Sequence, residues 1–327
     1  MRKVIFEEFG GPEKLLLKDA PDLVPGEDQL LVAVEAAGVN YLDITQRSGA
    51  SAVHVIKPPF VLGLEGVGRI LAIGSGAENA KDGFKVGMRV AWIDAPSSYA
   101  SQVLVPACRA IVVPDDLEAH QGLLFQALTA HYLVHEYRAI QPGDRVLVHA
   151  ASGGLGQLLV QWFKHLGAFV VGTVSSEEKA ETVRSVGADA VVIYGNTYDF
   201  KDQVLDLTQG KGVNLAIDGI GEKTLLNTIS VLSRGGTAVA IGAASGPIPQ
   251  ITPTILTPKG LRLAGGAVFS WVADPVELKA RAAQAIEGIE AGWLKLDAAT
   301  SYPLDQASKA HEDIESRRSK GKIYLIP

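Results

Sequence analysis

Residues 145–176 read RVLVHAASGGLGQLLVQWFKHLGAFVVGTVSS. An apolar strand, Arg145 to His149, runs into Ala151-Ser152-Gly153-Gly154-Leu155-Gly156, and a helical stretch follows at once. In that stretch Leu155, Leu158, Leu159, Trp162, Phe163 and Leu166 recur at spacings of three and four, which makes one apolar face, and Gly167 stops it. A second apolar strand, Ala168 to Val174, comes next. The loop has G-x-G-x-x-G spacing with alanine in the first place, and it leaves a strand and opens a helix. Backbone N–H groups there can cradle a pyrophosphate, and the helix N-terminus favours its negative charge. The glycines alone would say little; their context makes this a dinucleotide-binding loop.

The alternation continues on both sides. A helical stretch LLFQALTAHYLVHEY precedes the first strand. Ala190 to Tyr194 is a third strand. A helix around Phe200, Val204 and Leu207, the strand VNLAIDGIG, a helix over Leu225, Leu226, Ile229 and Leu232, and strands TAVAIGAA and LRLAGGAV follow. Apolar strands alternating with amphipathic helices predict a doubly wound parallel sheet, a Rossmann domain over residues 123–266. The first 113 residues read instead as short strands (KVIFEEF, KLLLKD, QLLVAVEAAGV, GVGRILAIG, RVAWID, YASQVLV and AIVVP) divided by Gly, Pro, Asp or Asn, which predicts an all-β unit. Gln46 to Pro59 has no clear period and reads as an exposed loop, a candidate lid. The tail after Pro275, with helices around Val276–Ile289 and Gln306–Ser316 and strands SYPL and KIYLIP, is too small to fold alone. It is expected to join the β unit, so that residues 1–122 and 267–327 form one discontinuous domain and the fold class is α/β.

A second glycine-rich stretch, VLGLEGVGRI at 61–70, has the reverse order, G-x-x-G-x-G, and runs into a strand. No helix N-terminus is available there, so its glycines read as turn residues between strands.

The chain has 327 residues, 47% hydrophobic and 20% charged, with 30 basic and 36 acidic residues and no long basic run. That suits a globular protein of about two domains and gives no nucleic-acid footprint. One cysteine, Cys108, excludes an internal disulfide and a multi-cysteine metal site, suits a reducing cytosol, and reads as a small buried strand residue. The opening MRKVIFEEFGG meets acidic residues and glycine too early to read as a signal peptide, and no apolar run reaches the roughly 18 residues of a membrane span. A cytoplasmic protein is expected.

The acidic residue that would hold the ribose 2′-hydroxyl of NAD should end the second strand, and Ser175 and Ser176 stand there. Ser175 and Glu178 match a capping box, which gives Glu178 a structural duty, while Lys179 is placed to meet a 2′-phosphate or is a solvated surface lysine. The balance is for NADPH. Among the histidines, His149 reads as a packed or hydrogen-bonded strand residue rather than a catalyst. His131 and His135 share a helical face but lack a third ligand.

HAASGGLGQ, GVNYLD, GTVSSEEKAE, VIYGN and the ending HEDIESRRSKGKIYLIP resemble the zinc-independent quinone oxidoreductases (zeta-crystallin-like) of the medium-chain dehydrogenase/reductase superfamily, over nearly the whole chain. The resemblance implies a GroES-like catalytic domain, a Rossmann domain, an active-site cleft between them and a homodimer. Zinc-dependent alcohol dehydrogenases of that superfamily carry ligands where this chain has Asn40 and Leu64, so no metal is expected. The resemblance further implies Asn40 and Thr129 beside the nicotinamide ribose and amide, and Ser152, Gly153, Gly154 and Leu155 on the pyrophosphate. It implies Ser175, Lys179 and Tyr194 on the 2′-phosphate, and Gly242, Ala243, Ser245 and Phe269 on the nicotinamide side. Thr45 stands where the family often has a tyrosine, and the following loop has none, so the substrate pocket is less defined than the cofactor site. Tyr41 either supplies a hydroxyl there or packs as an aromatic.

Without zinc to polarise a carbonyl, simple alcohols become poor substrates. A quinone, or an enone or enal, accepts hydride into a conjugated system that spreads the charge to a distant oxygen, so the protein mainly positions donor and acceptor. Asp43 reads as structural or as hydrogen-bonding near the cleft, not as a general base. A different class stays open: an NADPH-binding protein with little catalytic duty.

Overall fold

The computed structural model describes residues 1–51, 55–77, 83–296, 299–316 and 321–327, arranged in two compact units. One comprises Met1–Phe125, Ala273–Ile286 and Leu296–Pro327; the other comprises Gln126–Val272 and Glu287–Lys295.

The N-terminal run forms β1 (Arg2–Phe6), β2 (Leu16–Asp19), β3 (Gln29–Val39), a helix α1 (Tyr41–Ser48), β4 (Phe60–Val61), β5 (Glu65–Ile73), β6 (Arg89–Ile93), β7 (Gln102–Pro106) and β8 (Ala110–Val112). β3 is the spine. It pairs antiparallel with both β5 and β7, and β5 carries β6 and β8 outward in turn. Gly66 and Gly68 therefore lie inside a strand rather than in a turn, and only Gly63, with φ 91°, turns the chain. A Cβ on Gly68 would stand 2.0 Å from the carbonyl oxygen of Ala33, so β3 and β5 can approach only over a glycine.

Two further readings change here. The unit is not all-β: α1 occupies Tyr41–Ser48 and ends on Gly49 in the left-handed region at φ 78°, so Gln46–Ser48 are helical rather than loop. Residues 52–54 of the candidate lid lie outside the described residues. Cys108 is exposed in a single 3₁₀ turn, Ala107–Arg109, because the chain bends there between β7 and β8.

The second unit begins with α2 (Phe125–His135), whose first residue closes the first unit, and continues with β9 (Arg145–Val148), α3 (Gly154–His165), β10 (Phe169–Val174), α4 (Glu177–Ser185) and β11 (Ala190–Ile193). It then runs through α5 (Lys201–Leu207), β12 (Val213–Asp218), α6 (Leu225–Ser230), β13 (Leu232–Ala240), β14 (Arg262–Gly265) and α7 (Val268–Trp271). All six strands are parallel, in the order β11-β10-β9-β12-β13-β14. That is the doubly wound arrangement, with its switch point at the carboxyl ends of β9 and β12. Leu232 leaves the expected helix and opens β13, where it pairs with Val213. Leu226, expected on that helix's apolar face, is 53% exposed. Leu147, Val171, Phe200, Val204 and Ile229 pack into one core.

The remaining chain forms α8 (Pro275–Glu290), β15 (Ala299–Pro303), α9 (Ala307–Glu315) and β16 (Lys322–Ile326). β16 pairs antiparallel with β3, Ile323 opposite Val39, and adds Ile323 and Leu325 to the β-rich core. The tail is divided, however. Residues 287–295 group with the parallel-sheet unit because Trp293 packs edge-on to Trp162 and stacks on His165, and the Lys295 backbone bonds the Gln161 side chain in both directions. Residues 267–272 group there as well.

Candidate active site

In the β-rich unit the chain leaves β3 through Asn40, which is extended (φ −125°, ψ 156°) and caps α1; its N–H donates to Asp43 Oδ2 at 2.8 Å. The Asn40 side chain points elsewhere. Its Nδ2 donates to Glu65 Oε1 at 2.8 Å, and its Oδ1 accepts from Lys322 Nζ at 3.0 Å. Lys322 also pairs with Glu65 Oε1, and Glu65 Oε2 accepts the Phe125 N–H, the first of α2, at 3.0 Å. Glu65 is 0% and Lys322 2% exposed, so each charge has the other as its compensation in a site without bulk water.

Behind α1 lies a directed chain. Arg47 Nη1 can only donate, so His311 Nδ1, 3.0 Å away, accepts and the ring proton sits on Nε2. His311 Nε2 then donates to the Tyr99 oxygen at 3.0 Å, and the Tyr99 hydroxyl donates to Asp43 Oδ2 at 3.0 Å. Burial, with Arg47 adding to it, holds His311 neutral, its pKa pushed down to about 3. Burial also raises the Asp43 carboxyl to about 7 against its hydrogen bonds, and Asp43 Oδ1 has no hydrogen-bond partner among the described residues. Tyr99 is raised well above its ordinary range by burial and by Asp43.

In the parallel-sheet unit the loop after β9 joins a strand end to the start of α3, in the strand–loop–helix order expected. Gly153 caps α3 and offers no side chain to accept from the first turn, so that residue leaves the N–H groups of the turn uncapped. A Cβ on Gly156 would stand 2.5 Å from the Ala150 carbonyl oxygen, so the helix start packs on the strand end over bare backbone. Ser152 is buried, and its carbonyl accepts from Gln157 Nε2; Gly154 and Leu155 are half-buried.

Ser175 is exposed just past β10, and the helix cap is Ser176, whose hydroxyl accepts the Lys179 N–H at 3.4 Å. The expected Ser175–Glu178 capping box is therefore shifted by one residue: Ser176 is the last extended residue (φ −151°, ψ 160°) before α4. Lys179 is half-buried in that first turn. Tyr194 is buried and stacks on Tyr198 with ring centroids 4.9 Å apart. After β13, Gly242 packs against the Gly219 carbonyl, where a Cβ would stand 2.7 Å away, and Ala243 follows it. The Ser245 hydroxyl donates to the Ile220 carbonyl and accepts from Lys223 N–H, tying the loops after β12 and β13 together. Thr129 on α2 and Phe269 on α7 are half-buried.

Tyr41, at the first position of α1, is 51% exposed, which corrects its reading as a packed aromatic: the residue faces out because α1 buries Asp43, Ile44, Gln46 and Arg47 instead. His149 bonds Thr173 and Thr228 hydroxyls, and Thr228 donates on to Asp218, so His149 is a buried, hydrogen-bonded residue at the end of β9. Asn40 and Tyr41 belong to the β-rich unit and the other candidates to the parallel-sheet unit. Glu65, Lys322, Tyr99 and His311 were not singled out as site residues by the sequence.

A GroES-like β-rich unit carried by the same chain as a doubly wound dinucleotide sheet defines a medium-chain dehydrogenase/reductase. Residues 26–124 match the alcohol dehydrogenase GroES-like domain and residues 154–286 the zinc-binding dehydrogenase family. The chain is 34% identical to a 2-haloacrylate reductase of Burkholderia sp, covering 99% of this chain and 98% of that one, and 33% identical to a quinone oxidoreductase of Pseudomonas aeruginosa, covering 100% and 99%. The crystal structure of Escherichia coli quinone oxidoreductase complexed with NADPH matches with a TM-score of 0.93 at 31% identity over 100% of both chains. The chain belongs to the quinone oxidoreductase family of that superfamily.

Proposed function

We propose that this protein is an NADPH-dependent reductase that passes hydride to quinones, with the β-rich unit as its catalytic domain and the parallel-sheet unit as its NADPH-binding domain. The observation that carries the reading is the end of β10, where an exposed serine, Ser175, replaces a ribose-binding carboxylate and Lys179 stands in the first turn of the next helix. The nearby Glu177 is engaged with Arg184.

NADPH fits the residues present and, when bound, supplies the hydride. Ser152, Gly153, Gly154 and Leu155 would hold its pyrophosphate, and Ser175, Lys179 and the Tyr194 hydroxyl its 2′-phosphate. Asn40, Thr129, Gly242, Ala243, Ser245 and Phe269 would line the nicotinamide. With its hydroxyl already bonded, Ser245 would act by shaping the loop. Exposed Tyr41 is the candidate hydroxyl for the acceptor side. The chain's own work is to orient the two reactants and keep water away, which suits an acceptor that spreads its new charge by conjugation.

Zinc does not fit. The position of one ligand in zinc-bearing relatives holds apolar, buried Leu64, and the other holds Asn40, whose oxygen already accepts from the Lys322 ammonium. A dication there would face that charge, and among the described residues no group of three His, Cys, Asp or Glu could hold a metal. We further read the protein as a cytoplasmic homodimer, on the family resemblance and the single cysteine.

Activated alkenes form the second reading, favoured by the 34% identity to a 2-haloacrylate reductase. NADPH oxidation with a panel of ortho- and para-quinones, enals and haloacrylates decides between them, and NADPH binding without turnover of any acceptor would leave only a binding role. Lys179→Ala should weaken NADPH binding about tenfold while leaving NADH nearly unchanged, the loss of one charge-assisted bond. Equal loss for both cofactors, measured by fluorescence titration, would remove Lys179 from the 2′-phosphate site.

A further inference from the structure

We infer that Lys322, with Glu65, is a positioning residue for hydride transfer: it fixes the orientation of the Asn40 carboxamide and strengthens it as a hydrogen-bond donor. The inference rests on the reading of Asn40 as a neighbour of the nicotinamide ribose.

The geometry leaves Asn40 no freedom. Lys322 can only donate and an ionised Glu65 can only accept, so the contacts Lys322 Nζ to Oδ1 at 3.0 Å and Nδ2 to Glu65 Oε1 at 2.8 Å assign the amide oxygen and nitrogen uniquely and forbid a flip. Lys322 is delivered by register: Ile323 lies opposite Val39, so Lys322, just before it on β16, meets Asn40, the residue that follows β3. Glu65 arrives from the first position of β5 and holds Asn40 with one oxygen and the α2 N-terminus with the other. Three elements distant in sequence converge on one amide.

After these bonds Asn40 keeps one N–H to give. An ammonium on the amide oxygen draws electron density from the nitrogen through the conjugated amide, and in a site this buried the polarisation is little screened. The remaining N–H is thereby a stronger donor and is held in one direction. No carboxylate or ammonium at this point need touch the reactants, and Lys322 and Glu65 act through Asn40.

The competing reading is a structural ion pair that only ties β16 to β5. A double-mutant cycle on the full-length protein separates the two. Lys322→Met is expected to lower kcat/KM for NADPH about tenfold, within the coupling usual for contacting residues, with Lys322→Arg restoring most of it. In an Asn40→Ala background the same Lys322→Met change is expected to cost less than about twofold, because the residue it acts through is gone. A structural pair would instead give the same loss in both backgrounds at equal folded fraction, checked by circular dichroism, and that result overturns the inference. Should Lys322→Met not fold, the neutral pair Glu65→Gln with Lys322→Gln, which strands no lone buried charge, takes its place in the cycle with the same two outcomes. NADPH affinity by fluorescence titration runs the cycle without any acceptor. Equal losses in protein that binds NADPH sink the inference alone, whereas an unaltered protein that neither binds nor oxidises NADPH sinks the functional reading and the inference with it.

Discussion

At the scale of single residues, the chemistry of the β-rich unit turns on groups whose neighbours are far away in sequence. Asp43 is the clearest case. Its carboxyl has an ordinary value of 3.8 and is raised to about 7 in the fold, first by burial. Between these values the folded state keeps a proton that the unfolded state has released, so the stability this group contributes is complete below about pH 4 and is lost as pH rises towards 7. Asp43→Asn cannot titrate. The stability difference between the native protein and this variant, from urea unfolding at pH 5 and pH 8, is expected to move against the native protein at the higher pH. A difference independent of pH would mean that Asp43 stays ionised throughout. The sequence marked Asp43 as structural and Asn40 as a site residue, yet neither Glu65 nor Lys322 carried any signal beyond a motif position and a tail lysine. Burial and pairing are properties of contacts, and those contacts span 257 residues of chain between Glu65 and Lys322.

At the scale of elements, α1 was hidden by its own motif. Gly38-Val39-Asn40-Tyr41-Leu42-Asp43 drew attention as an altered metal motif, while Asn40 and Asp43 three residues apart are also a helix cap, and Gly49 is a helix stop. The capping reading was available in the residues and explains the helix. β5 shows the opposite balance. Its glycines read as turn residues, but their place inside a strand depended on what lies across from them, the Ala33 carbonyl for Gly68 and the Trp92 ring for Gly66. Gly68→Ala puts a methyl 2.0 Å from a backbone oxygen that cannot rotate away. It should destabilise the protein by about 1–3 kcal/mol, as overpacking does, because β3 and β5 must part. Thermal unfolding checks this, and an unchanged midpoint would mean that the strand pair yields without cost. The one-residue shift of the α4 cap, from Ser175 to Ser176, has a similar origin: two adjacent serines compete, and the strand end decides.

At the scale of the whole molecule, the proposal that the protein works without zinc has a direct test. Dialysis against a strong chelator is expected to leave NADPH oxidation and the thermal midpoint unchanged, with less than stoichiometric zinc by elemental analysis. Loss of activity restored by added zinc would overturn the reading of Asn40 and Leu64. The sequence by itself determined the doubly wound sheet and picked out the loop and the strand-end residues proposed for a pyrophosphate and a 2′-phosphate, because these depend on local periodicity and on residues within about 30 positions of one another. Only the tertiary structure decided how the tail divides, with β16 on β3 and residues 287–295 on the other unit. It alone also decided that Asn40 is clamped between Glu65 and Lys322. Strand register and the burial of a charge pair are set by packing between distant segments, and no local pattern in the chain encodes them.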